Sequence, residues 1–288
     1  MLYTSFGDAI DEISADMKAL AKLVHTEKWQ GVPIADKPEM ATHELQHVFL
    51  QVPLHGGAEV LPDYQAQIKP NLPWADNHFL ERVCGQPINP GVEWANWPYA
   101  HSARNFLDEN GKFNHNYMER YWSKWAGLPC ATRTPEEYKR AVEDKAVGDE
   151  MFINRGIYHK FGDLNDVINQ LLREPQTRQA ILPVFFPEDT GAVHGGRVPC
   201  SMYYQFLVRN RRMDIVYAIR SCDFVRHFRD DIYLTVRLLL WMLDQLRARN
   251  SEWRGIRPGR FVMMITSLHM FRNDYLQMWG RKPDGATP

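Results

Sequence analysis

A cysteine and two arginines in the second half of the chain have types and an order that suit nucleophilic chemistry. Cys200 stands at the start of a predicted strand, while Arg220 ends the next predicted strand and Arg229 stands at a helix start. A nearby arginine stabilises a thiolate, which is the nucleophilic form of cysteine. For any single cysteine the alternative is a buried, inert thiol, and these residues alone leave both interpretations open.

The most conspicuous short motif is His43-Glu44-Leu45-Gln46-His47, which matches HExxH. On a helix this spacing places two imidazoles on one face for zinc, with the glutamate as a base. The residues that follow, Val48 to Val52 and then Pro53, favour a strand instead, in which the two histidines are about 13 Å apart. Leu50 and Pro53 also break the extended metzincin motif. A zinc peptidase is therefore an alternative that the context does not favour, and we expect no metal.

The composition is that of a globular protein with a sizeable core. Of the 288 residues 44% are apolar, and the 34 Lys and Arg nearly balance the 35 Asp and Glu, for a net charge of -1. This balance argues against binding of polymeric nucleic acid, which draws on a cationic surface. The cysteines are too few and scattered for a disulfide framework, and no CxxC pair indicates a zinc site; they are Cys84, Cys130, Cys200 and Cys222.

Neither a membrane span nor a targeting segment is predicted. The longest strongly apolar stretch, Leu238 to Leu243, is far shorter than a membrane span needs. The N-terminus alternates acidic and apolar residues, which is typical of neither a signal peptide nor a transit peptide. We therefore expect a cytoplasmic protein.

The elements that position the candidate residues are most regular in the second half. Asp163 caps a predicted helix through Leu172, and Pro175 ends it. Three strands, a hairpin turn and a buried helix are predicted after it: strands Gln179–Phe186, Ser201–Val208 and Met213–Arg220, the turn Arg209–Arg212, a helix over 231–248, and a further strand Arg260–Phe271.

The first half is less regular. Apolar residues at helical spacing predict an amphipathic helix over residues 8–27, and residues 44–52 predict a strand. Residues 53–98 are rich in Pro, Gly and Trp and predict an ordered loop with a short helix around Asp76–Val83. Residues 130–150 predict an exposed polar insertion. With no repeat or boundary in the sequence, one α+β domain over residues 1–288 is expected.

Cys200 and Arg220 belong to a longer ordered set of motifs. The chain reads Pro199-Cys200-Ser201 through Gln205-Phe206, then Arg220-Ser221-Cys222-Asp223 and Phe228-Arg229-Asp230-Asp231. These resemble the thymidylate synthase family, in which the strand reads PCHxxxQF and the later motif reads RSxDxxLGxPFN. Residues 173–182 and 267–271 look like the family's arginine-bearing strand and its HxY strand, and Glu81 is the best match to its ELLW glutamate. The resemblance runs from about residue 150 to 275. It implies an α+β fold, with a mixed β-sheet packed with helices and a sheet-mediated dimer.

Asp231 stands where the family motif ends in Asn. An Asn amide complements the N3–H donor and O4 acceptor of uracil, whereas a carboxylate can accept from the N4 amine of cytosine. A protonated carboxyl or a protonated N3 would complete a two-bond match. Phage deoxycytidylate hydroxymethylases resemble the chain in this respect, so Asp231 points to a cytidine nucleotide. The alternative role of Asp231 is a helix N-cap.

The resemblance implies a mechanism with 5,10-methylenetetrahydrofolate as co-substrate. Cys200 adds to C6 of the pyrimidine, C5 then attacks the one-carbon unit, and water attacks the resulting exocyclic methylene to give a 5-hydroxymethyl product. Glu81 is expected to position that water and relay protons. Since Phe271 replaces the tyrosine of the HxY strand, recognition of the sugar departs from the family, and a ribonucleotide substrate stays open.

The remaining binding roles are also implied by the resemblance. Arg220, Ser221 and Arg178 are expected at the phosphate, His269 at the sugar 3′-hydroxyl, Asp223 at the folate pterin, and Gln205 on the pyrimidine side. The alternative for the arginines is surface ion pairing. One arginine crosses from the partner subunit in the family, so a two-fold homodimer is implied.

The hypothesis is therefore a folate-dependent 5-hydroxymethylase of deoxycytidylate or cytidylate, located in the host cytoplasm if a phage encodes it. A reductive enzyme of the same fold that gives a 5-methyl product is the first alternative. A zinc peptidase through His43 and His47 and a non-catalytic nucleotide- or RNA-binding relative are the others.

Overall fold

A computed structural model describes residues 1–29, 32–113, 115–123, 162–190 and 197–280. The predicted insertion over residues 130–150 and Cys130 lie outside the described residues. The strands are β1 (Lys22–Val24), β2 (Lys28–Trp29), β3 (Val32–Pro33), β4 (Thr42–Pro53), β5 (Ile181–Pro183), β6 (Ser201–Arg209), β7 (Arg212–Asp223) and β8 (Arg257–Phe271). The helices are α1 (Phe6–Leu20), α2 (Leu61–Ile68), α3 (Trp74–Arg82), α4 (Ala100–Ala103), α5 (Tyr117–Tyr121), α6 (Leu164–Arg173), α7 (Pro187–Thr190), α8 (Phe228–Arg249) and α9 (Arg272–Trp279).

Six of the described strands form one mixed sheet in the order β1-β4-β8-β7-β6-β5. Neighbours are antiparallel except β7 and β8, which run parallel. The parallel register places Ser221 beside Ser267 and Asp223 beside His269. Residues that the sequence separates by almost fifty positions therefore meet at one end of the sheet, and the predicted mixed α+β fold is confirmed.

Alternation of side chains along β7 separates the core from the opposite sheet face. Met213, Ile215 and Tyr217 are fully buried, while Val216 between them is half-buried. Successive strand residues point to opposite faces, so the buried set lies against the core. Helix α8 covers this side by packing on β7 and β8, and it is apolar around most of its circumference because α2, α3 and α6 pack on it as well.

The amphipathic N-terminal helix is shorter than predicted. It begins at Phe6, where Ser5 accepts a hydrogen bond from the amide of Asp8, and it ends at Leu20. The expected extension to residue 27 is wrong because Lys22–Val24 instead pairs with β4 in the sheet. Leu20 is exposed as a result.

The Pro-rich stretch after β4 contains two helices rather than the one predicted. The helix expected around Asp76–Val83 is α3, and its Trp74 side chain donates to the carbonyl of Glu93. Helix α2 was not predicted, although it buries Tyr64 and Ile68. The aromatic residues of this stretch are thus packed on the core, as their size requires.

The predicted helix and hairpin before and after Cys200 are confirmed. The side chain of Asp163 accepts from the amide of Asp166 at the start of α6. Strands β6 and β7 are joined by a turn in which Asn210 and Arg211 adopt positive φ. Strand β5 is shorter than the predicted Gln179–Phe186, since it forms the sheet edge and pairs with β6 over three residues. Among the described helices, none is long and apolar enough to cross a membrane.

Candidate functional site

Arg220 is held against the segment that carries Cys200. Its backbone amide donates to the carbonyl of Cys200 at 2.9 Å, and its guanidinium donates to the carbonyls of Pro199 at 2.9 Å and Val198 at 3.1 Å. The half-buried thiol of Cys200 and a cation therefore share one end of the β6–β7 pair. This is the arrangement that the sequence predicts for a nucleophile.

The electrostatic neighbours of Cys200 oppose one another. Burial raises the pKa of the thiol, the positive charges of Arg220 and Arg197 lower it, and the carboxyl groups of Asp231 and Asp223 raise it again. Burial prevails, so the pKa of Cys200 stays above its usual value and the thiol is protonated at rest at neutral pH. The nucleophile therefore has to lose its proton as it attacks.

Asp231 lies in the first turn of α8 and faces Cys200 and Cys222. The thiol of Cys222 donates to Oδ2 of Asp231 at 3.6 Å. Burial raises the pKa of Asp231 to about 7, against the attraction of the Arg82 guanidinium, which lowers it. A carboxyl group with this pKa is present in both its neutral and its ionised form at neutral pH.

The alternative that Asp231 is a helix N-cap is wrong. The N-cap position belongs to His227, which precedes Phe228 and makes no side-chain cap hydrogen bond. The amide of Asp231 instead donates to the carbonyl of His227 at 2.7 Å, as a residue inside the helix does. The Asp231 side chain is thus available to a ligand or to buried neighbours.

A buried arginine and a tyrosine complete the surroundings of Asp231. The Cζ atom of Arg82, on α3, lies 4.4 Å from the centre of the Tyr117 ring, and its Nε donates to Nε2 of His78 at 3.0 Å. The hydroxyl of Ser201 donates to that of Tyr117 at 3.3 Å. Arg82 is 4% exposed and forms a cation–π contact with the Tyr117 ring. The same guanidinium attracts the carboxylate of Asp231.

Ser221, His269 and Asp223 meet at the ends of β7 and β8. The hydroxyl of Ser221 is hydrogen-bonded to Nδ1 of His269 at 3.4 Å. One carboxylate oxygen of Asp223 accepts from the amides of Val225 and Arg226, and the other pairs with the Arg226 guanidinium at 3.0 Å. The carboxylate of Asp223 is therefore fixed in orientation by the turn that leads into α8.

The carboxylate of Glu81 is bound by residues close to it in sequence. Its carboxylate accepts from the amide of Glu93 at 3.0 Å and lies 3.4 Å from Nδ1 of His78. In the described part of the chain no hydrogen bond or ion pair joins Glu81 to Cys200 or Asp231. The predicted role of Glu81 stays a prediction, since Glu81 is linked to the neighbours of Asp231 only through His78 and Arg82.

Arg178 and Gln205 lie away from the thiol within one chain. The amide of Gln205 donates to the carbonyl of Arg178 at 2.9 Å. Gln205 is four residues along β6 from Ser201, a distance of about 13 Å. The structure therefore brings six predicted residues together, Cys200, Arg220, Ser221, Asp223, Asp231 and His269, and leaves Glu81, Arg178 and Gln205 apart from them.

Sequence reasoning missed residues that the fold adds to this cluster. Arg197, whose guanidinium lies 4.9 Å from the centre of the Phe106 ring, faces Cys200. Arg82 and Tyr117 come from short helices of the first half. The signal for Arg197 was its position three residues before Cys200, but nothing in the local pattern marked Arg82 or Tyr117.

The HExxH segment forms a strand, as its context predicted. His43 on β4 is buried and stacks on Tyr275 with ring centres 3.9 Å apart, whereas His47 is exposed with a φ of 57°. Across the described residues no group of His, Cys, Asp or Glu has a geometry that could hold a metal ion. The described part of the chain therefore contains no metal site that a zinc peptidase could use.

The clustered residues combine a thiol, cations and a buried carboxyl at one end of the sheet. Such a set can add a sulfur nucleophile to an electron-poor carbon, bind an anionic group through arginine and orient a ring through hydrogen bonds. A phosphorylated, planar heterocycle fits these three functions.

Comparisons with known proteins agree with this description. The chain is similar to a deoxyuridylate hydroxymethyltransferase of Bacillus phage SP01, with 26% identity over 123 residues, 42% of this chain and 30% of that protein. It is also similar to a putative thymidylate synthase of Methanosarcina barkeri, with 26% identity over 121 residues, 42% of this chain and 51% of that protein. The matches thus span about a third and about a half of these curated relatives.

The fold comparison extends over nearly the whole chain. The solved structure of thermostable thymidylate synthase A from Bacillus subtilis superposes with a TM-score of 0.59 at 14% identity, covering 96% of this chain and 83% of that one. The family model described as thymidylate synthase matches residues 90–282, which is well over half of the 288 residues. The chain belongs to the thymidylate synthase family.

Proposed function

We propose that the chain catalyses folate-dependent hydroxymethylation at C5 of a cytidine 5′-monophosphate in the cytoplasm, with dCMP preferred over CMP. The observation that carries this proposal is the buried carboxyl of Asp231, which is an electrostatic neighbour of the Cys200 thiol. The similarity to a deoxyuridylate hydroxymethyltransferase supports hydroxymethyl transfer to a pyrimidine nucleotide. The choice of cytosine rather than uracil rests on Asp231.

Cys200 supplies the nucleophile in this proposal. Its sulfur bonds to C6 of the pyrimidine, and the C5=C6 electrons make C5 nucleophilic towards the one-carbon unit of 5,10-methylenetetrahydrofolate. The C5 proton then passes to solvent and tetrahydrofolate leaves, which gives an exocyclic methylene at C5. Water adds to this methylene, and elimination of the Cys200 thiolate from C6 restores the C5=C6 bond and frees the 5-hydroxymethyl nucleotide. Glu81 is assigned to water positioning, and Asp223 to the pterin.

Asp231 discriminates between the two bases through its acceptor oxygens. A carboxyl group accepts from the N4 amine of cytosine whether it is neutral or ionised, and the neutral form also donates to N3. An ionised carboxylate has no donor for O4 of uracil, so the two oxygens repel. With a pKa of about 7 for Asp231, discrimination against uracil strengthens as the pH rises through neutrality.

The phosphate is assigned to Arg220 and Ser221 of one subunit and Arg178 of its partner. The sheet face opposite α8 bears half-buried apolar side chains, among them Leu207, Val216 and Val262. A second copy packed on this face by a two-fold axis would bury them. Arg178 lies beside Gln205, away from the thiol of its own chain, so we assign it to the site of the partner in a homodimer with shared sites. His269 is assigned to the sugar and Gln205 to the pyrimidine side.

The test is tritium release from the C5 position of labelled dCMP, CMP and dUMP in the presence of methylenetetrahydrofolate, followed by mass spectrometry of the product. Release from dCMP with a gain of CH₂O supports the proposal. Release from dUMP alone would contradict the assignment of Asp231. A gain of CH₂ would select the reductive 5-methyl alternative, which similarity to a putative thymidylate synthase supports.

A matched pair of variants isolates the base reader. Asp231→Asn is expected to shift preference towards dUMP, because an amide offers uracil one donor and one acceptor. Asp230→Asn is the control, since the Asp230 carboxylate is bound by the amide and side chain of Asn71 instead of facing Cys200. An unchanged cytosine preference in Asp231→Asn would remove Asp231 from base recognition.

A further inference from the structure

His227 carries a half-buried imidazole in the candidate site, and the proposed mechanism does not yet use it. It lies in the turn between β7 and α8, and its ring stacks on Trp97 with centres 4.7 Å apart and an interplanar angle of 17°. Counting along the family motif RSxDxxLGxPFN from Arg220, His227 takes the position of the glycine. A side chain capable of proton transfer thus stands where the family motif has none.

The imidazole of His227 shares its surroundings with the Cys200 thiol. Arg197 and Asp223 are electrostatic neighbours of both groups, and His269 is a further neighbour of His227. The amide of His227 donates to the carbonyl of Asp223 at 3.0 Å, and Arg220, three residues earlier on β7, donates its amide to the carbonyl of Cys200. His227 is therefore at the same end of the sheet as Cys200. It therefore borders the space in which the proposed reaction takes place.

His227 is uncharged at neutral pH. Burial lowers its pKa to about 4, and the positive charges of Arg197, Arg226 and, when it is protonated, His269 act in the same direction, while Asp223 opposes them. A neutral imidazole has a free lone pair that can accept a proton. The Asp223 carboxylate stabilises the imidazolium that would form. His227 thus has the protonation state that a general base requires.

We propose that His227 is the general base for the water that adds to the exocyclic methylene, so that it directs the reaction to a hydroxymethyl rather than a methyl product. This inference rests on the proposed function. It complements the assignment of Glu81, whose carboxylate is already bound by the Glu93 amide and His78. The Trp97 stack fixes the plane of the imidazole and so the direction of its lone pair.

The step balances without a further reactant. The water oxygen bonds to the methylene carbon, and one water proton moves to the imidazole of His227. The methylene π electrons move into the ring and then expel the Cys200 thiolate from C6, which restores the C5=C6 bond. The imidazolium returns its proton to solvent or to the departing thiolate, so nothing is oxidised or reduced.

The first experiment separates methylene transfer from hydration. His227→Gln and His227→Phe are compared with the wild type for first-turnover tritium release from C5 of dCMP and for the rate of hydroxymethyl product. Both variants are expected to release tritium within about threefold of wild type and to form hydroxymethyl product about 100-fold more slowly, the usual loss on removing a general base. Intact-protein mass spectrometry is expected to show a methylene-nucleotide adduct on Cys200.

Packing effects are controlled in two ways. His227→Phe keeps an aromatic ring against Trp97 but removes the base. His43→Gln serves as the control, since the His43 ring is likewise stacked on an aromatic ring, that of Tyr275, and this variant should keep both rates. Hydroxymethyl product at the wild-type rate in His227→Phe would overturn the inference.

Chemical rescue tests the proton transfer itself. In His227→Ala, added imidazoles of increasing basicity should restore hydroxymethyl formation at increasing rates, because base catalysis follows Brønsted behaviour. If the rescued rate did not depend on the basicity of the added imidazole, the imidazole would only be filling the space, and the base assignment would be overturned. Tritium release by the wild type without hydroxymethyl product would overturn both this inference and the proposed function. Hydroxymethyl product from the wild type and from His227→Phe alike would overturn this inference alone.

Discussion

Replacing Asp231 with Asn should stabilise the folded chain above neutral pH and not at acidic pH. Burial raises the pKa of Asp231 from its ordinary 3.8 to about 7 in the folded chain. The native state therefore binds this proton more tightly than the unfolded state does. Stability contributed by the neutral carboxyl is fully present below about pH 4 and is lost as the pH rises to about 7.

The magnitude follows from the size of the shift. A pKa displaced by about three units corresponds to roughly 4 kcal/mol between the two protonation states, at 1.36 kcal/mol per unit. This is an upper value for the difference in unfolding free energy between Asp231→Asn and wild type at pH 8, since the buried amide has a desolvation cost of its own. We expect the difference to be about 2 to 4 kcal/mol at pH 8 and lower by about 4 kcal/mol near pH 4, because the cost of the amide is the same at both pH values.

Urea unfolding at several pH values between 4 and 8 measures this difference directly. Subtracting wild type from variant removes the titration of all other groups. Asp244→Asn on the same helix is the control, because the Asp244 side chain is 58% exposed and should give no such pH dependence. Two results would refute the buried neutral carboxyl. In one, the difference in unfolding free energy between Asp231→Asn and wild type does not change with pH. In the other, this difference is smaller at pH 8 than at pH 4.

Three further changes probe the charges around the thiol and the shared site. Arg220→Gln removes the cation that most lowers the pKa of Cys200, so alkylation by iodoacetamide at this residue, mapped by peptide mass spectrometry, should move to higher pH. Arg82→Gln should raise the pKa of Asp231 further, seen as a shift to higher pH of the stability transition described above; an unshifted transition would show that Arg82 has no such influence. Mixing inactive Cys200→Ser and Arg178→Ala proteins should restore about a quarter of wild-type activity if each site of a two-fold dimer takes Arg178 from its partner, and no recovery would contradict shared sites.

The accuracy of the fold prediction followed the regularity of burial. Strands β6, β7 and β8 were predicted nearly to their ends because one face of each is buried along its length, which makes apolar residues alternate. The predicted helix over residues 8–27 is too long because Val24 continues the helical spacing of apolar residues. The strand with which Lys22–Val24 pairs instead, Thr42–Glu44, lies about twenty residues further along the chain, where a local pattern does not show it. Helix α9 was missed, since its buried residue, Tyr275, is a single apolar contact without a repeating pattern.

The site residues also fall into a group that the sequence predicts and a group that it does not, because of the topology of the sheet. Cys200, Arg220 and His269 stand near the ends of three neighbouring strands, so a motif on each strand predicts that they meet. Arg82 and Tyr117 reach the cluster through tertiary packing of short helices, which no local pattern records, and only its position three residues before Cys200 marks Arg197. These residues set the charge around the thiol and Asp231. The motifs therefore predict which groups lie together, whereas the protonation states of those groups depend on neighbours that only the folded structure brings to them.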